Sequence, residues 1–293
     1  LRAQRKENEI FIRATLASNP NKEFAQRYSK TLEENLTTYD RERLLNGNWN
    51  ARPKSGSEFL KEFNQEKQVK RDLSKTYDPN LALHVTFDEN FNPYITCLIL
   101  QVHQDGNLRR VRQIAEICLS PPNNTRKKVC QSIIDKFHGH RGGMIIYGDA
   151  TSLKGDTAKE YGENFFTDII SYLQQFNPIL RVPPKNPPVV SKGGFINLIL
   201  EKDYRGISFE VDSECKKSID DYSYAPEDSA GGVLKKRVTN PETGVSYEKY
   251  GHHIDALSYF ICEAFQSDFD YYLSGGFQHD YVVGSDRDYR FER

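Results

Sequence analysis

The chain has 293 residues, 37% hydrophobic, 28% charged and 12% aromatic, which is long and apolar enough to bury a core without staples and excludes a wholly disordered polymer. Its net charge of -1 gives nucleic acid no bulk electrostatic footing, so contact with DNA must come from a local patch or from cations set between carboxylates and phosphates. No apolar run approaches the roughly 18 residues of a membrane span and no secretory leader opens the sequence, which therefore reads as soluble and cytosolic. Leu1 in place of methionine reads as a piece of something longer or an engineered start. The five cysteines, Cys97, Cys118, Cys130, Cys215 and Cys262, are odd in number and widely spaced, which suits reduced core thiols better than disulfides or a zinc site.

Residues 10–16 predict a strand stopped by Asn19-Pro20. From 23 to 45, Phe24, Tyr28, Leu32, Leu36, Leu44 and Leu45 recur at the spacing of an amphipathic helix or pair of helices, ended by Asn46-Gly47 ahead of Trp49, a packing anchor. Residues 50–80, polar and charge-rich with Pro53 and Gly56, predict a linker with at most a short helix at 57–63, and the main domain is expected to begin near Ser74.

Leu81, Leu83, Val85 and Phe87 alternate with Ala82, His84, Thr86 and Asp88, so 81–88 predicts a strand with Asp88 at its exit on the less apolar face. There Asp88 is either a turn residue or a ligand presented beyond the sheet. Strands at 94–102 and 108–119 follow, joined by Asp105-Gly106, and complete an antiparallel meander. A helix at 125–137, a strand at 144–149 ending in Asp149, a helix at 164–176 and a strand at 179–182 then alternate, the order of crossover connections. Pro183, Pro184, Pro187 and Pro188 stiffen the way into a helix near 195–200, a strand at 207–211 and a helix at 213–222. Residues 231–250 predict a β-hairpin, and from His252 a helix buries Ile254, Leu257, Phe260, Ile261, Ala264 and Phe265, with a loose tail beyond 274. The whole predicts an α/β fold: a mixed central sheet of three antiparallel strands followed by βα units, flanked by helices.

If the strands ending in Asp88 and Asp149 lie side by side, two carboxylates meet at one end of the sheet, and Asp255 in the first turn of a packed helix can complete the cluster. Like charges that close need a cation among them, and an all-oxygen set suits Mg²⁺ or Mn²⁺. Two such ions about 3.5–4 Å apart activate water and stabilise a leaving oxygen in phosphodiester hydrolysis. The alternative gives each acid a local duty: a turn at Asp88, a helix N-cap at Asp149, an offset to the helix dipole at Asp255.

The order of elements and the places of these acids resemble the ribonuclease H and Holliday-resolvase-like nuclease fold. More narrowly, the chain resembles the nuclease domain of the large terminase subunit of tailed bacteriophages. The resemblance rests on Leu44-Leu45-Asn46-Gly47-Asn48-Trp49, Val85-Thr86-Phe87-Asp88, Ile146-Tyr147-Gly148-Asp149-Ala150 and His252-His253-Ile254-Asp255-Ala256-Leu257-Ser258-Tyr259, with Ala14 to Pro20 similar to the strand that ends the family's ATPase domain. It implies that Asp88, likewise Asp149 and Asp255, hold the metals, with Asp88 bridging. It also implies that His252, one helical turn before Asp255, is a ligand or general acid/base, against the alternative of a solvent-facing helix residue. Glu116 is a candidate fourth acid or an exposed sheet residue.

By this resemblance residues 1–49 are the end of an ATPase domain and a helical linker, 50–80 a linker, 81–270 the nuclease and 271–293 a tail. No phosphate-cradling Gly-x-x-x-x-Gly-Lys-Ser/Thr loop is present, so the chain holds no complete ATPase. The expected activity is metal-dependent endonucleolytic cutting of concatemeric double-stranded DNA, in the cytoplasm of an infected bacterial host. The expected partners are an ATPase domain on the full-length chain, a portal and a small terminase subunit. Lys235, Lys236 and Arg237 on the hairpin are candidate DNA contacts and read equally as a solvated charge run, whereas for Arg109, Arg110 and Arg112 the solvated charge run is the favoured reading over contact with phosphates. Two other readings stay open: another nuclease of the same fold, such as a junction resolvase or transposase-like enzyme, and a non-catalytic DNA-binding or assembly module.

Overall fold

The computed structural model describes residues 19–35, 55–90, 92–154, 163–240 and 244–274. The chain divides into two units, Leu1–Gly56 and Ser57–Arg293. In the first, α1 (Lys22–Asn35) starts where Asn21 Oδ1 accepts a hydrogen bond from the Phe24 N–H at 3.0 Å. The strand expected at 10–16, the Asn46-Gly47 stop, Trp49 and the tail beyond 274 lie outside the described residues.

The second unit is built on a seven-stranded sheet ordered β1-β7-β4-β3-β2-β5-β6. Its strands are β1 (Val69–Lys70), β2 (Leu83–Asp88), β3 (Ile95–Asp105), β4 (Leu108–Leu119), β5 (Met144–Gly148), β6 (Pro178–Leu180) and β7 (Ile207–Asp212). β2, β3 and β4 pair antiparallel, and the remaining neighbours pair parallel. This is the expected mixed α/β sheet, three antiparallel strands followed by parallel βα units. Gly106, at φ +58, makes the tight turn from β3 to β4.

Strand alternation gives the sheet two buried faces. Leu83, Val85, Phe87 and Ile146 point to one, where α3 (Arg126–Phe137) and α4 (Phe165–Tyr172) cover them with Val129, Ile133, Phe166 and Ile169. Leu98, Leu100, Tyr147 and Val211 point to the other, under α5 (Val189–Lys202), α6 (Lys216–Tyr224), α7 (His252–Ala264) and α8 (Gln266–Leu273). The predicted hairpin is present as β8 (Arg237–Thr239) against β9 (Ser246–Glu248). All five cysteines are free thiols. Among the described residues no helix is long and apolar enough to cross a membrane.

The expected linker differs. The second unit starts at Ser57, and Phe59, Leu60 and Phe63 are core residues at 5%, 1% and 1% exposure. The Phe59 N–H donates to the Ala225 carbonyl at 2.9 Å and the Asn197 amide donates to the Phe59 carbonyl at 2.9 Å, after which α2 (Gln65–Gln68) leads into the edge strand β1. Three apolar side chains among many charges were enough to dock the segment, because they pack against α5 and α6: the Phe59 ring lies over Gly193 and Phe63 meets Tyr222. The helix expected near 195–200 starts earlier, at Val189, directly after Pro188 at its N-cap.

Candidate functional site

Parallel pairing of β2 with β5 sets Phe87 opposite Gly148. The next residues, Asp88 and Asp149, therefore leave the sheet from matching ends of adjacent strands. Alternation aims both at the face that α7 covers: on that face Thr86 donates from Oγ1 to the Ala256 carbonyl at 2.7 Å, and the His84 and Tyr147 rings meet Phe260 at 5.1 and 5.3 Å. Gly148 lets the strands close here, since a Cβ would stand 2.8 Å from Phe166 Cζ and 3.0 Å from the Phe87 carbonyl oxygen.

α7 is placed by a chain of carboxylate contacts. Glu116 on β4 accepts from the backbone N–H groups of Lys217 at 3.0 Å and Ser218 at 2.8 Å, fixing the start of α6. Asp221 on α6 in turn accepts from the N–H groups of Gly251 at 2.7 Å, His253 at 2.8 Å and Ile254 at 3.2 Å, fixing the start of α7. Carboxylates there satisfy orphan donors and meet the positive end of the helix dipole. Gly251 takes φ +105, and a Cβ on it would meet Lys235 Nζ at 2.7 Å. Glu116 is thus half-buried and engaged, not an exposed sheet residue.

Each aspartate has its own partners. Asp88, 7% exposed, accepts from the Asn90 side-chain amide and lies 2.9 Å from His252 Nδ1 through Oδ2. The other ring nitrogen of His252 stands 2.9 Å from the Glu248 carbonyl oxygen. Burial opposes a charged imidazole, yet the Asp88 carboxylate outweighs it and holds the His252 pKa above its usual value. His252 is therefore buried at 2% exposure, which removes the solvent-facing alternative.

Asp149 accepts through Oδ1 from Asn186 Nδ2 at 2.7 Å and the Thr151 N–H at 2.6 Å, and through Oδ2 from the Tyr259 hydroxyl at 3.0 Å. Burial pushes its carboxyl up, but these hydrogen bonds outweigh burial and hold it below the usual carboxylate range. Its N-cap contact and its contact with α7 coexist.

Asp255 receives the Lys235 ammonium at 2.6 Å, which also lies 3.5 Å from Glu248. Burial and the Asp88 charge raise the Asp255 pKa above its ordinary value, against the pull of Lys235 and Lys192. Burial would lower Lys235, but Asp255, Asp88 and Glu248 push it up to about 12. Tyr259, one turn beyond Asp255, feels all three aspartates: burial first, then the charges of Asp255, Asp88 and Asp149, push its phenol far up and keep it a donor. Lys192, 3% exposed, places its ammonium 4.7 Å over the Tyr259 ring.

The structure thus brings Asp88, Asp149, Asp255 and His252 to one end of the sheet under α7. Among the described residues the group whose ligand atoms all lie within 4.8 Å of one another is a different one, Glu116, Cys118 and His253. Lys236 and Arg237 are exposed on the hairpin. Arg109 is bound to Asp268 at 2.6 Å, Arg110 to Asp105 at 2.9 Å and Arg112 to Glu210 at 3.3 Å, pairs within the chain rather than a free basic stripe. Sequence reasoning missed Tyr259, Asn186, Lys192 and Asp221. Tyr259 alone carried a signal, its i+4 spacing from Asp255 on one helix face.

Fold and site together define a mixed α/β protein with an acidic centre at the ends of its central strands. No known family profile and no curated protein matches the sequence. Among solved structures it is similar to the large terminase of a thermophilic bacteriophage in complex with ADP, at 15% identity and a TM-score of 0.44, over 83% of this chain and 52% of that one. It is similar also to the P22 large terminase nuclease domain, at 13% identity and a TM-score of 0.46, over 70% of this chain and 90% of that one. A third is the large terminase nuclease domain of bacteriophage SPP1 with bound Mn, at 16% identity and a TM-score of 0.38, over 66% of this chain and 94% of that one. The chain spans about half the length of the thermophilic bacteriophage protein.

Proposed function

We propose that this chain is a metal-dependent endonuclease that hydrolyses phosphodiester bonds of double-stranded DNA, the cutting part of a viral genome-packaging terminase. The observation that carries the reading is the register-matched pair of Asp88 and Asp149, with Asp255 entering from α7 on the same face. The donor set is carboxylate oxygen, which suits Mg²⁺ or Mn²⁺, and the Lys235 ammonium already sits against Asp255 where a cation is called for. Two such ions are the arrangement that serves phosphodiester hydrolysis. Asp88, Asp149 and Asp255 would hold them, and when bound they would supply an activated water and charge stabilisation at the leaving oxygen.

The protein's own groups prepare that site. Asn186, Thr151 and Tyr259 keep Asp149 ionised and aimed. His252, anchored at its far nitrogen by the Glu248 carbonyl, orients Asp88. That assigns His252 a positioning role, since neither ring nitrogen is left to exchange a proton with substrate. Lys236 and Arg237 on the β8–β9 hairpin would meet DNA phosphates, as would Lys235 once a cation displaces it from Asp255, and without a base-reading element sequence preference would be low. In the full-length protein an ATPase domain, a portal and a small terminase subunit would be partners, in the cytoplasm of an infected bacterium.

The test is digestion of supercoiled plasmid with Mg²⁺ or Mn²⁺. The wild type should nick and linearise DNA, and Asp88→Asn, Asp149→Asn and Asp255→Asn should each lose on the order of a hundredfold in rate. Equal cutting by all four proteins, or none by the folded wild type with either ion, sinks the reading.

A further inference from the structure

Cys118, Glu116 and His253 meet on the face of the sheet that carries α7, two strands away from Asp88. Cys118 pairs with Thr96 across β3 and β4, and Thr96 pairs with Asp88 across β2 and β3, so the three residues lie in one row. His253 Nε2 stands 3.4 Å from Cys118 Sγ and 3.8 Å from Glu116 Oε2, and the three ligand atoms lie within 4.8 Å of one another. We propose that Glu116, Cys118 and His253 form a second cation site, for a thiophilic divalent ion such as Zn²⁺, separate from the three aspartates.

The distances fit that ion. Tetrahedral zinc with bonds of about 2.3 Å to sulfur and about 2.0–2.1 Å to nitrogen and oxygen holds S and N about 3.6 Å apart, and N and O about 3.3 Å apart. The observed separations depart from these by no more than about half an ångström. The ligand types also select it, since a thiol with an imidazole and a carboxylate favours zinc over the hard ions that suit the aspartates.

The surroundings are those of a ligand set already held in place. The far nitrogen of His253, Nδ1, faces Asp221 Oδ2 at 3.6 Å, which leaves Nε2 turned to the thiol and carboxylate. Glu116 is fixed through Oε1 by the Lys217 N–H and through Oε2 by the N–H and hydroxyl of Ser218, three hydrogen bonds for about four acceptor positions, so the lone pair that remains is on Oε1. Lys217 does not serve as the counter-cation: its ammonium lies 3.9 Å over the Tyr94 ring and 3.3 Å from the Cys118 carbonyl oxygen. A second observation points the same way. The Thr96 hydroxyl, on a residue with 0% exposure directly opposite Cys118, has no hydrogen-bond partner among the described residues. Water in the fourth coordination position would give it one.

Such an ion would clip β4 to the first turn of α7, the turn that carries His252 and leads into Asp255. The site stands or falls apart from the nuclease reading, because its ligands are different residues.

The experiment uses the full chain, stripped with a chelator and titrated with Co²⁺ as a spectroscopic stand-in for zinc. One equivalent should produce a thiolate-to-cobalt charge-transfer band. The band should persist in Asp149→Asn/Asp255→Asn, disappear in Cys118→Ser, and require about tenfold more Co²⁺ in Glu116→Gln. In parallel, Zn²⁺ should slow maleimide labelling of Cys118 about tenfold. Cys118 is the half-buried thiol and the other four are buried, so labelling of the native protein reports on it. Absence of the band, its survival in Cys118→Ser, or labelling that ignores zinc overturns the proposal. Circular dichroism of each variant separates loss of the site from loss of the fold.

Discussion

The Tyr259 hydroxyl donates to Asp149 Oδ2 at 3.0 Å, and this one bond ties α7 to the end of β5. It links the element that carries Asp255 to the strand that carries Asp149. Tyr259→Phe should therefore lower Mn²⁺-dependent plasmid cleavage about tenfold while costing about 1 kcal/mol of stability. Paired rate measurements and urea denaturation check both numbers; unchanged cleavage would show that Asp149 needs no help from α7.

Lys235 competes with any cation for Asp255, its ammonium being 2.6 Å from the carboxylate. Lys235→Met should tighten Mn²⁺ binding measured calorimetrically without DNA, by about three- to tenfold given the half-exposed setting of the pair. The same variant should raise the Asp255 pKa further, because the larger of the two pulls that oppose burial and Asp88 is gone and only Lys192 remains. Weaker Mn²⁺ binding in Lys235→Met would contradict this competition.

Asp268 on α8 offers a pH-dependent contribution away from the acidic centre. Burial raises its carboxyl, but Arg109 at 2.6 Å and Arg205 at 2.7 Å outweigh burial and hold it below the ordinary value. A carboxylate with a depressed folded-state pKa stabilises the fold fully above its unfolded value of about 3.9, and that stabilisation is lost as pH falls through the lower folded value. Asp268→Asn should cost about 1–2 kcal/mol at neutral pH, discounted for the partly exposed arginines, and flatten the acid limb of a stability-against-pH curve.

Phe63, 1% exposed, packs edge-on against Tyr222 with ring centroids 5.5 Å apart. Phe63→Ala should cost about 3–5 kcal/mol in chemical denaturation, and a chain begun at Ser74 should fail to give a cooperative transition. A stable protein starting there would restore the boundary that composition suggested.

The contrast between Phe63 and Asp88 shows what the sequence could tell. Period-two alternation placed Asp88 and Asp149 on strand ends, and the strand–helix order brought those strands together, because both signals are local or follow from general rules of chain connection. The segment around Phe63 was misread because three apolar residues among many charges give no periodicity, and only contacts with α5 and α6, far along the chain, make them core. The β4 residues were hidden for another reason. A bulge between the pairs Ile99↔Ala115 and Leu100↔Gln113 inserts Ile114, so Glu116 and Cys118 share a face with Val111 and Gln113 despite the wrong parity. No alternation rule finds that. Lys235 against Asp255, His252 against Asp88 and Asn186 against Asp149 are long-range contacts of polar side chains, which leave no pattern in the chain.

Asp221 has a geometric consequence. By taking the N–H groups of Gly251, His253 and Ile254 together, one buried carboxylate fixes the angular phase of α7 as well as its starting point. A helix turns about 100° per residue, so a slip of one position would swing Asp255 away from Asp88 and carry a neighbouring apolar side chain into its place. The aim of the third acid is thus decided on a neighbouring helix, by a carboxylate that is itself buried.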